Sequence, residues 1–249
     1  MNLSLRSALP SVLIAVLLAF APVDSADARD SSARKGKADA PITAVQTKDS
    51  QAATTPDMAL KLLQEGNARF VDGKMLKRDW NAQVAATATG QYPHSIVLGC
   101  IDSRVPPEIV FDQGIGDVFA PRIAGNFVNT DILGSMEFAA AAAGSKLIVV
   151  LGHTECGAVK GACDAVELGN LTQTLSNISP AIYAVRDVAG DRNSKNAAFV
   201  DAVAHMNVRM TVKNILDRST VLAGLVAKGD LKIVGAMHDI STGVVTFLD

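Results

Sequence analysis

Two short stretches of the sequence carry side chains that could hold a metal and activate water. The first contains Cys100, Asp102 and Arg104, and the second contains His153 and Cys156. Two cysteines and a histidine form a zinc-ligand set that leaves one coordination position open, and zinc lowers the pKa of water in that position toward neutrality. The residue types therefore predict a catalytic site with one Zn²⁺ per subunit.

The predicted chemistry also depends on Asp102 and Arg104. Asp102 follows the first cysteine by two residues, so its carboxylate could orient the water at the open position or bind the metal and close the site. A bidentate ion pair with Arg104 would hold the carboxylate away from the metal. The alternatives are a loop cap for Asp102 and a solvated charge for Arg104, but the accompanying ligand set favours catalytic roles.

The elements that must position these stretches are two buried strands. Short runs of β-forming residues at 95–98 and 146–151 directly precede the two stretches, and the carboxyl ends of strands in open α/β sheets are where ligands bind. Strands alternate with helical patterns in the first half of the chain. The sequence therefore predicts an α/β fold with a mainly parallel central β-sheet flanked by helices. Strands at 231–237 and 244–248 should add an antiparallel C-terminal edge hairpin.

The remaining elements follow from apolar periodicity and turn residues. A helical pattern from Pro56 to Gly73 predicts an N-terminal helical arm, packed on its own sheet or on a partner subunit. The glycines at 114 and 116 lack the third glycine of a dinucleotide fingerprint and indicate a turn. Further elements are predicted as a helix from Pro106, a strand at 118–120 and helices at 130–143, 156–168, 171–188, 197–216 and 221–227.

The N-terminal residues predict export. Arg6, the apolar run at 9–21 and the small residues at 26–28 have the order of a secretory signal peptide, spanning 1–28. A retained anchor is the alternative, but the apolar run is shorter than the roughly 20 residues that span a bilayer. We therefore expect a periplasmic or secreted protein without stable membrane insertion after cleavage. Residues 29–55 are polar without an apolar period and predict a disordered linker before a domain at 56–249.

The amino-acid composition limits the classes of function that are compatible with the sequence. With 249 residues, 49% of them hydrophobic, and a net charge of −2, the chain has room for one α/β domain and lacks the basic, aromatic-interleaved surface of nucleic-acid-binding proteins. The third cysteine, Cys163, is predicted to be a small buried residue. Cys100 and Cys156 do not form the C-x-x-C pair of a thiol redox protein.

Several motifs together resemble the β-class carbonic anhydrases, from about Met58 to the C terminus. The resemblance implies reversible hydration of carbon dioxide to bicarbonate and a proton, zinc on Cys100, His153 and Cys156 with the Asp102–Arg104 dyad beside it, and a homodimer or dimer of dimers. The motifs that carry the resemblance are 99–106, 152–157, 116–119 with Arg122, 124–126, 207–208, and 231–236 with 242–243.

The same resemblance implies a substrate pocket formed by Gln91, Phe119 and Phe138. Gln91 would reach the neighbouring subunit's site, and Phe138 stands where many members have a tyrosine, so that hydroxyl is absent. The alternatives are a polar loop residue and two core phenylalanines. Val97 occupies the position of a tryptophan found in members whose aspartate closes the site, which favours the open subtype.

Two other functions remain compatible with the sequence. One is hydrolysis of carbon disulfide or carbonyl sulfide on the same scaffold. The other is a zinc-binding protein without catalysis, against which the intact Asp102 and Arg104 argue.

Overall fold

The computed structural model describes residues 40–248. The predicted signal peptide at 1–28, and the linker residues 29–39, lie outside this range. Among the described helices, none has the length and apolar character needed to cross a membrane.

A single five-stranded sheet organises the described chain, in the strand order β2-β1-β3-β4-β5. The first four strands are parallel, and β5 is antiparallel to β4. This confirms the predicted parallel sheet with an antiparallel C-terminal edge. The strands are β1 (Ser95–Leu98), β2 (Val118–Phe119), β3 (Leu147–His153), β4 (Lys232–His238) and β5 (Val245–Phe247).

Helices flank the sheet, and most of them lie where apolar periodicity predicts them. They are α1 (Lys48–Ala53), α2 (Pro56–Val71), α3 (Trp80–Thr87), α4 (Pro107–Val110), α5 (Thr130–Glu137, continued by a π-helical segment over Phe138–Ala142), α6 (Gly157–Cys163), α7 (Gly169–Ser176), α8 (Ser179–Ala184), α9 (Ala197–Arg218) and α10 (Thr220–Ala227).

Two helix predictions differ from the structure, and a third helix was not predicted. The helix predicted at 156–168 ends at Cys163, because Ala165 adopts a left-handed conformation with φ of 50°. The helix predicted at 171–188 is two helices, and Pro180 lies in the first turn of the second, where a proline is tolerated. Helix α3 was not predicted from the sequence, because it buries only Gln83 and therefore has no apolar stripe.

The two faces of the sheet have separate cores. Alternate strand residues point to opposite faces, so Ile96 and Leu98 join the larger core formed with α5, α8, α9 and α10, whereas Val97 joins the smaller core with α2. Both β1 and β3 are buried along their whole length. The loops that follow these two strands therefore begin from fixed positions.

The predicted N-terminal helical arm lies on its own sheet. Ala59 and Leu63 of α2 are fully buried and pack in the smaller core with Val97 and Val149. The Asn67 amide nitrogen also donates to the carbonyl oxygens of Val110 (3.0 Å) and Gly243 (2.9 Å). The alternative placement, on a partner subunit instead of its own sheet, is therefore wrong for this helix.

The predicted disordered linker is wrong for residues 40–55. The Ile42 amide donates to Lys77 O, α1 is capped by Thr47, and Gln51 is buried. The Gln51 amide nitrogen donates to Pro93 O and Ala143 O, both at 2.8 Å. The segment lacks apolar periodicity because hydrogen bonds to the backbone of the domain, and not an apolar face, hold it in place.

We predict that Gln51→Ala destabilises the protein by about 1–3 kcal/mol, because two carbonyl oxygens lose their buried donor. Urea unfolding of the wild type and the variant measures the change. Gln64→Ala is the matched control, since Gln64 is an exposed glutamine of α2. Equal destabilisation by both substitutions would contradict a role for Gln51 in anchoring the segment.

Candidate metal and active site

The three predicted metal ligands meet at the carboxyl ends of two neighbouring strands. Cys100 lies two residues after β1, His153 is the last residue of β3, and Cys156 is the N-cap of α6. Because β1 and β3 are parallel neighbours, their ends lie at the same edge of the sheet. The two sulfur atoms and a histidine ring nitrogen all lie within 4.8 Å of one another, and all three residues are buried.

The histidine is arranged as a metal ligand. His153 Nδ1 hydrogen-bonds to Thr154 O at 2.8 Å, which fixes the ring orientation and makes Nε2 the nitrogen with a free lone pair. Nε2 is buried and has no hydrogen-bond partner within residues 40–248. A buried nitrogen without a partner is costly. A metal ion bound by Nε2 would remove that cost.

The two thiols also fit a cation. The pKa of Cys100 is lowered to about 4, chiefly because the Cys156 thiol donates a hydrogen bond to it, with the Gly125 amide adding to the effect. The pKa of Cys156 is raised, because its thiolate would face Cys100 and lose contact with water. Two buried thiolates thus require a positive charge between them. A Cys₂His set is one that zinc prefers.

Asp102 and Arg104 form the predicted ion pair. Arg104 Nε and Nη2 donate to the two carboxylate oxygens at 2.9 and 2.7 Å, and the Arg104 amide donates to Oδ1 at 3.0 Å. These bonds hold the pKa of the Asp102 carboxyl well below its usual range. Asp102 Oδ2 lies 4.0 Å from His153 Nε2. The structure thus places a fixed, ionised carboxylate directly beside the ligand set.

Arg122 holds the backbone of the loop that carries Cys100. Its Nε donates to Cys100 O at 2.8 Å, and its Nη2 donates to Asp102 O at 2.6 Å. No function was predicted for Arg122 from the sequence, where it stands only as part of a motif. Its contacts join loops that follow two different strands, so no local spacing could have revealed them.

Comparisons with known proteins agree with this geometry. The fold resembles two solved structures described as β-carbonic anhydrases, one from Coccomyxa (TM-score 0.59, 26% identity, covering 76% of this chain and 86% of that one) and one of two tetrameric enzymes from Sordaria macrospora (TM-score 0.57, 28% identity, covering 66% and 84%). A family model described as carbonic anhydrase matches residues 95–245. The chain belongs to the β-class carbonic anhydrases.

Curated relatives in bacteria are similar over most of their length. Carbonic anhydrase 2 of Mycobacterium tuberculosis is 37% identical over 196 residues, which cover 76% of this chain and 91% of the relative. A carbonic anhydrase of Mycolicibacterium smegmatis is also 37% identical, over 76% and 92%. The aligned region includes nearly the whole of these relatives.

In this carbonic anhydrase, the aromatic residues predicted for the substrate pocket lie together. The Phe119 and Phe138 rings pack edge to face, with centroids 6.4 Å apart. Both line a cavity of about 700 Å³ beside edge strand β2, and Phe138 is 58% exposed. Among the described residues that line this cavity, none is one of the three predicted metal ligands.

Gln91 lies elsewhere in the subunit. It is exposed and precedes β1, whereas Cys100 follows that strand. Gln91 is therefore at the amino end of the sheet, a whole strand away from the metal ligands of its own subunit. A single chain does not bring Gln91 to the predicted site.

The remaining cysteine and histidines fall outside the ligand set. Cys163 is half-buried at the end of α6, and His94 is buried between Ser95 Oγ and Gln113 Oε1. His238 pairs in register with His153 on the neighbouring strand, and burial lowers its pKa. None of these three residues belongs to the candidate ligand set found among the described residues.

We predict that Cys100→Ser and His153→Ala abolish retention of one metal ion per chain, because each removes a ligand from a three-residue set. Metal analysis after dialysis measures the stoichiometry, and circular dichroism checks the fold. Cys163→Ser is the matched control and should retain the metal. Retention by Cys100→Ser would contradict the assigned set.

Proposed function

We propose that this carbonic anhydrase catalyses the reversible hydration of carbon dioxide to bicarbonate and a proton, with zinc held by Cys100, His153 and Cys156. The observation that carries the proposal is the convergence of these three buried ligands beside the Asp102 carboxylate. The curated relatives, named as carbonic anhydrases, support the same reaction.

The protein side chains orient the reacting water. Zinc bound by these ligands supplies the Lewis acidity that makes water nucleophilic near neutral pH. Asp102 is ionised and can only accept hydrogen bonds, so it would accept one from the reacting water. This hydrogen bond would orient a lone pair of the water oxygen toward the carbon of carbon dioxide. Arg104 keeps the carboxylate in that position through its bidentate pair.

The same ion pair supports the open subtype. Asp102 receives three hydrogen bonds from Arg104 and would have to break the side-chain pair to turn toward the metal. Val97 is fully buried in the smaller core, at the position where closing members carry a tryptophan. We therefore propose that Asp102 does not ligate the metal at neutral pH.

The proposed substrate residues require an oligomer. Gln91 is exposed at the end of the sheet opposite its own ligand set, which supports a role in a neighbouring subunit's site within a homodimer or dimer of dimers. The Sordaria macrospora β-carbonic anhydrases are described as tetrameric. Phe119 and Phe138 supply an apolar surface suited to carbon dioxide.

We also propose that the enzyme acts outside the cytoplasm, in the periplasm or as a secreted protein. The support is the order of Arg6, the apolar run at 9–21 and the small residues at 26–28. Cleavage would release the catalytic domain without a membrane anchor.

The other candidate functions have no observation in their favour. A non-catalytic zinc protein would not need an ionised carboxylate fixed by three hydrogen bonds beside its metal. Hydrolysis of carbon disulfide or carbonyl sulfide would use the same ligands, but the relatives reported above are named carbonic anhydrases.

We predict that Arg104→Ala lowers kcat/KM for carbon dioxide hydration by about 10–100-fold, because Asp102 loses the partner that orients it. Stopped-flow measurement on the zinc-loaded protein gives the rates. Lys160→Ala is the control, since Lys160 is a basic residue that pairs with the exposed side chain of Glu155. An unchanged rate for Arg104→Ala would remove the dyad from the mechanism.

We predict that mixing Gln91→Ala and Cys156→Ser subunits restores part of the activity that each variant lacks. In a mixed dimer, the Gln91→Ala subunit keeps its metal ligands and receives an intact glutamine from its partner. Subunits are exchanged under mild denaturation and assayed for carbon dioxide hydration. Absence of recovery in verified mixed oligomers would place Gln91 outside the partner's site.

A further inference from the structure

The sulfur of Cys100 receives a hydrogen bond from a tightly constrained backbone amide. The Gly125 amide nitrogen lies 3.4 Å from Cys100 Sγ, and both residues are buried. Gly125 belongs to a turn that is closed by the Asn126 amide donating to Ile123 O at 2.9 Å. Its φ of 84° is the conformation that the third residue of a type II turn requires. The turn thus aims one N–H group at one metal ligand.

Glycine is required at this position for two reasons. The left-handed φ strains any residue with a side chain. A Cβ atom at 125 would also lie 2.5 Å from Ile178 Cδ1. A glycine has more backbone freedom than other residues. A contact from outside the turn is therefore needed to hold the orientation of its backbone.

Asn207 of α9 supplies that contact. Its amide nitrogen donates to Gly125 O at 2.8 Å, and the asparagine is 3% exposed. Gly125 is therefore held on one side by the helix and donates on the other side to the sulfur. A hydrogen bond to a thiolate stabilises its charge and reduces its electron donation to a metal.

Two strand glycines allow α9 to come this close. A Cβ atom at Gly152 would lie 2.6 Å from Val208 Cγ2, and one at Gly235 would lie 2.7 Å from Val208 Cγ1. Val208 is the residue next to Asn207. The sheet is thus shaped to seat the segment of α9 that reaches Gly125.

We propose that Asn207 is a positioning residue for the metal centre, acting through Gly125 on the Cys100 thiolate. The inference rests on the proposed metal site and assigns a function to a residue whose side chain donates to Gly125 O and which is not among the described residues that line the cavity beside β2. It predicts that Asn207 sets the electron donation of one sulfur ligand in addition to its packing role.

The test is substitution of Asn207 by Leu and by Ala in protein loaded with Co²⁺, whose sulfur-to-metal charge-transfer absorption reports thiolate donation. Both variants should shift this band to lower energy and weaken metal affinity by about 10–100-fold in chelator competition. Asn214→Leu is the matched control, because Asn214 is an exposed asparagine of the same helix, and it should leave both values unchanged.

A second measurement does not depend on how well the variants fold. In wild-type protein loaded with ¹¹³Cd, the hydrogen bond should give a scalar coupling between the Gly125 amide proton and the metal. Absence of this coupling would overturn the proposal.

The outcomes separate this inference from the proposed function. Variants that lose thermal stability but keep the wild-type band and affinity would show that Asn207 only packs, and would overturn the inference alone. A wild-type protein that binds Co²⁺ without any thiolate charge-transfer band would overturn the metal site and this inference together.

Discussion

The structure depends on two sulfur atoms buried side by side. A thiolate placed in a low-dielectric interior is costly, and a second thiolate beside it is costlier still. The effect is visible in the opposite pKa changes of Cys100 and Cys156. A cation bound between them and to His153 would remove this cost. The arrangement therefore suits a metal site.

The surrounding contacts keep this site in one geometry. Arg122 binds the carbonyl groups of the Cys100 loop, and Arg104 binds the carboxylate of Asp102. Gly125 approaches the sulfur from another direction, held by α9. The contacts of Arg122 and Gly125 link segments that follow different strands, whereas Arg104 and Asp102 lie in the same loop. The site is therefore fixed both by its own loop and by neighbouring parts of the sheet.

The N-terminal segment shows how polar residues can be part of a fold. Gln51 inserts its amide between two backbone carbonyls from loops that flank the sheet. Asn67 does the same for a carbonyl at the end of α4 and one in the turn between β4 and β5. Such residues satisfy buried acceptors that would otherwise be costly. They give no apolar period, which is why the sequence predicted a disordered linker where residues 40–55 are ordered.

The sequence by itself determined the sheet type, and it predicted the Cys/His/Cys set and the Asp102–Arg104 pair that the structure brings together. The sequence patterns behind these predictions are local. An apolar run predicts a buried strand, and the ligand types follow directly after two such runs. The predicted helix boundaries were wrong where a single residue ends or divides a helix, as at Ala165 and Pro180.

Only the tertiary structure decided which contacts join segments that are distant in the sequence. Three hydrogen-bond contacts connect separate parts of the chain: those of Arg122 with the Cys100 loop, of Asn207 with Gly125 and of Gln51 with two backbone carbonyls. Hydrogen bonds of this kind depend on distances of about 3 Å set by packing. No spacing along the sequence encodes them, because the intervening strands and helices determine where each residue lies.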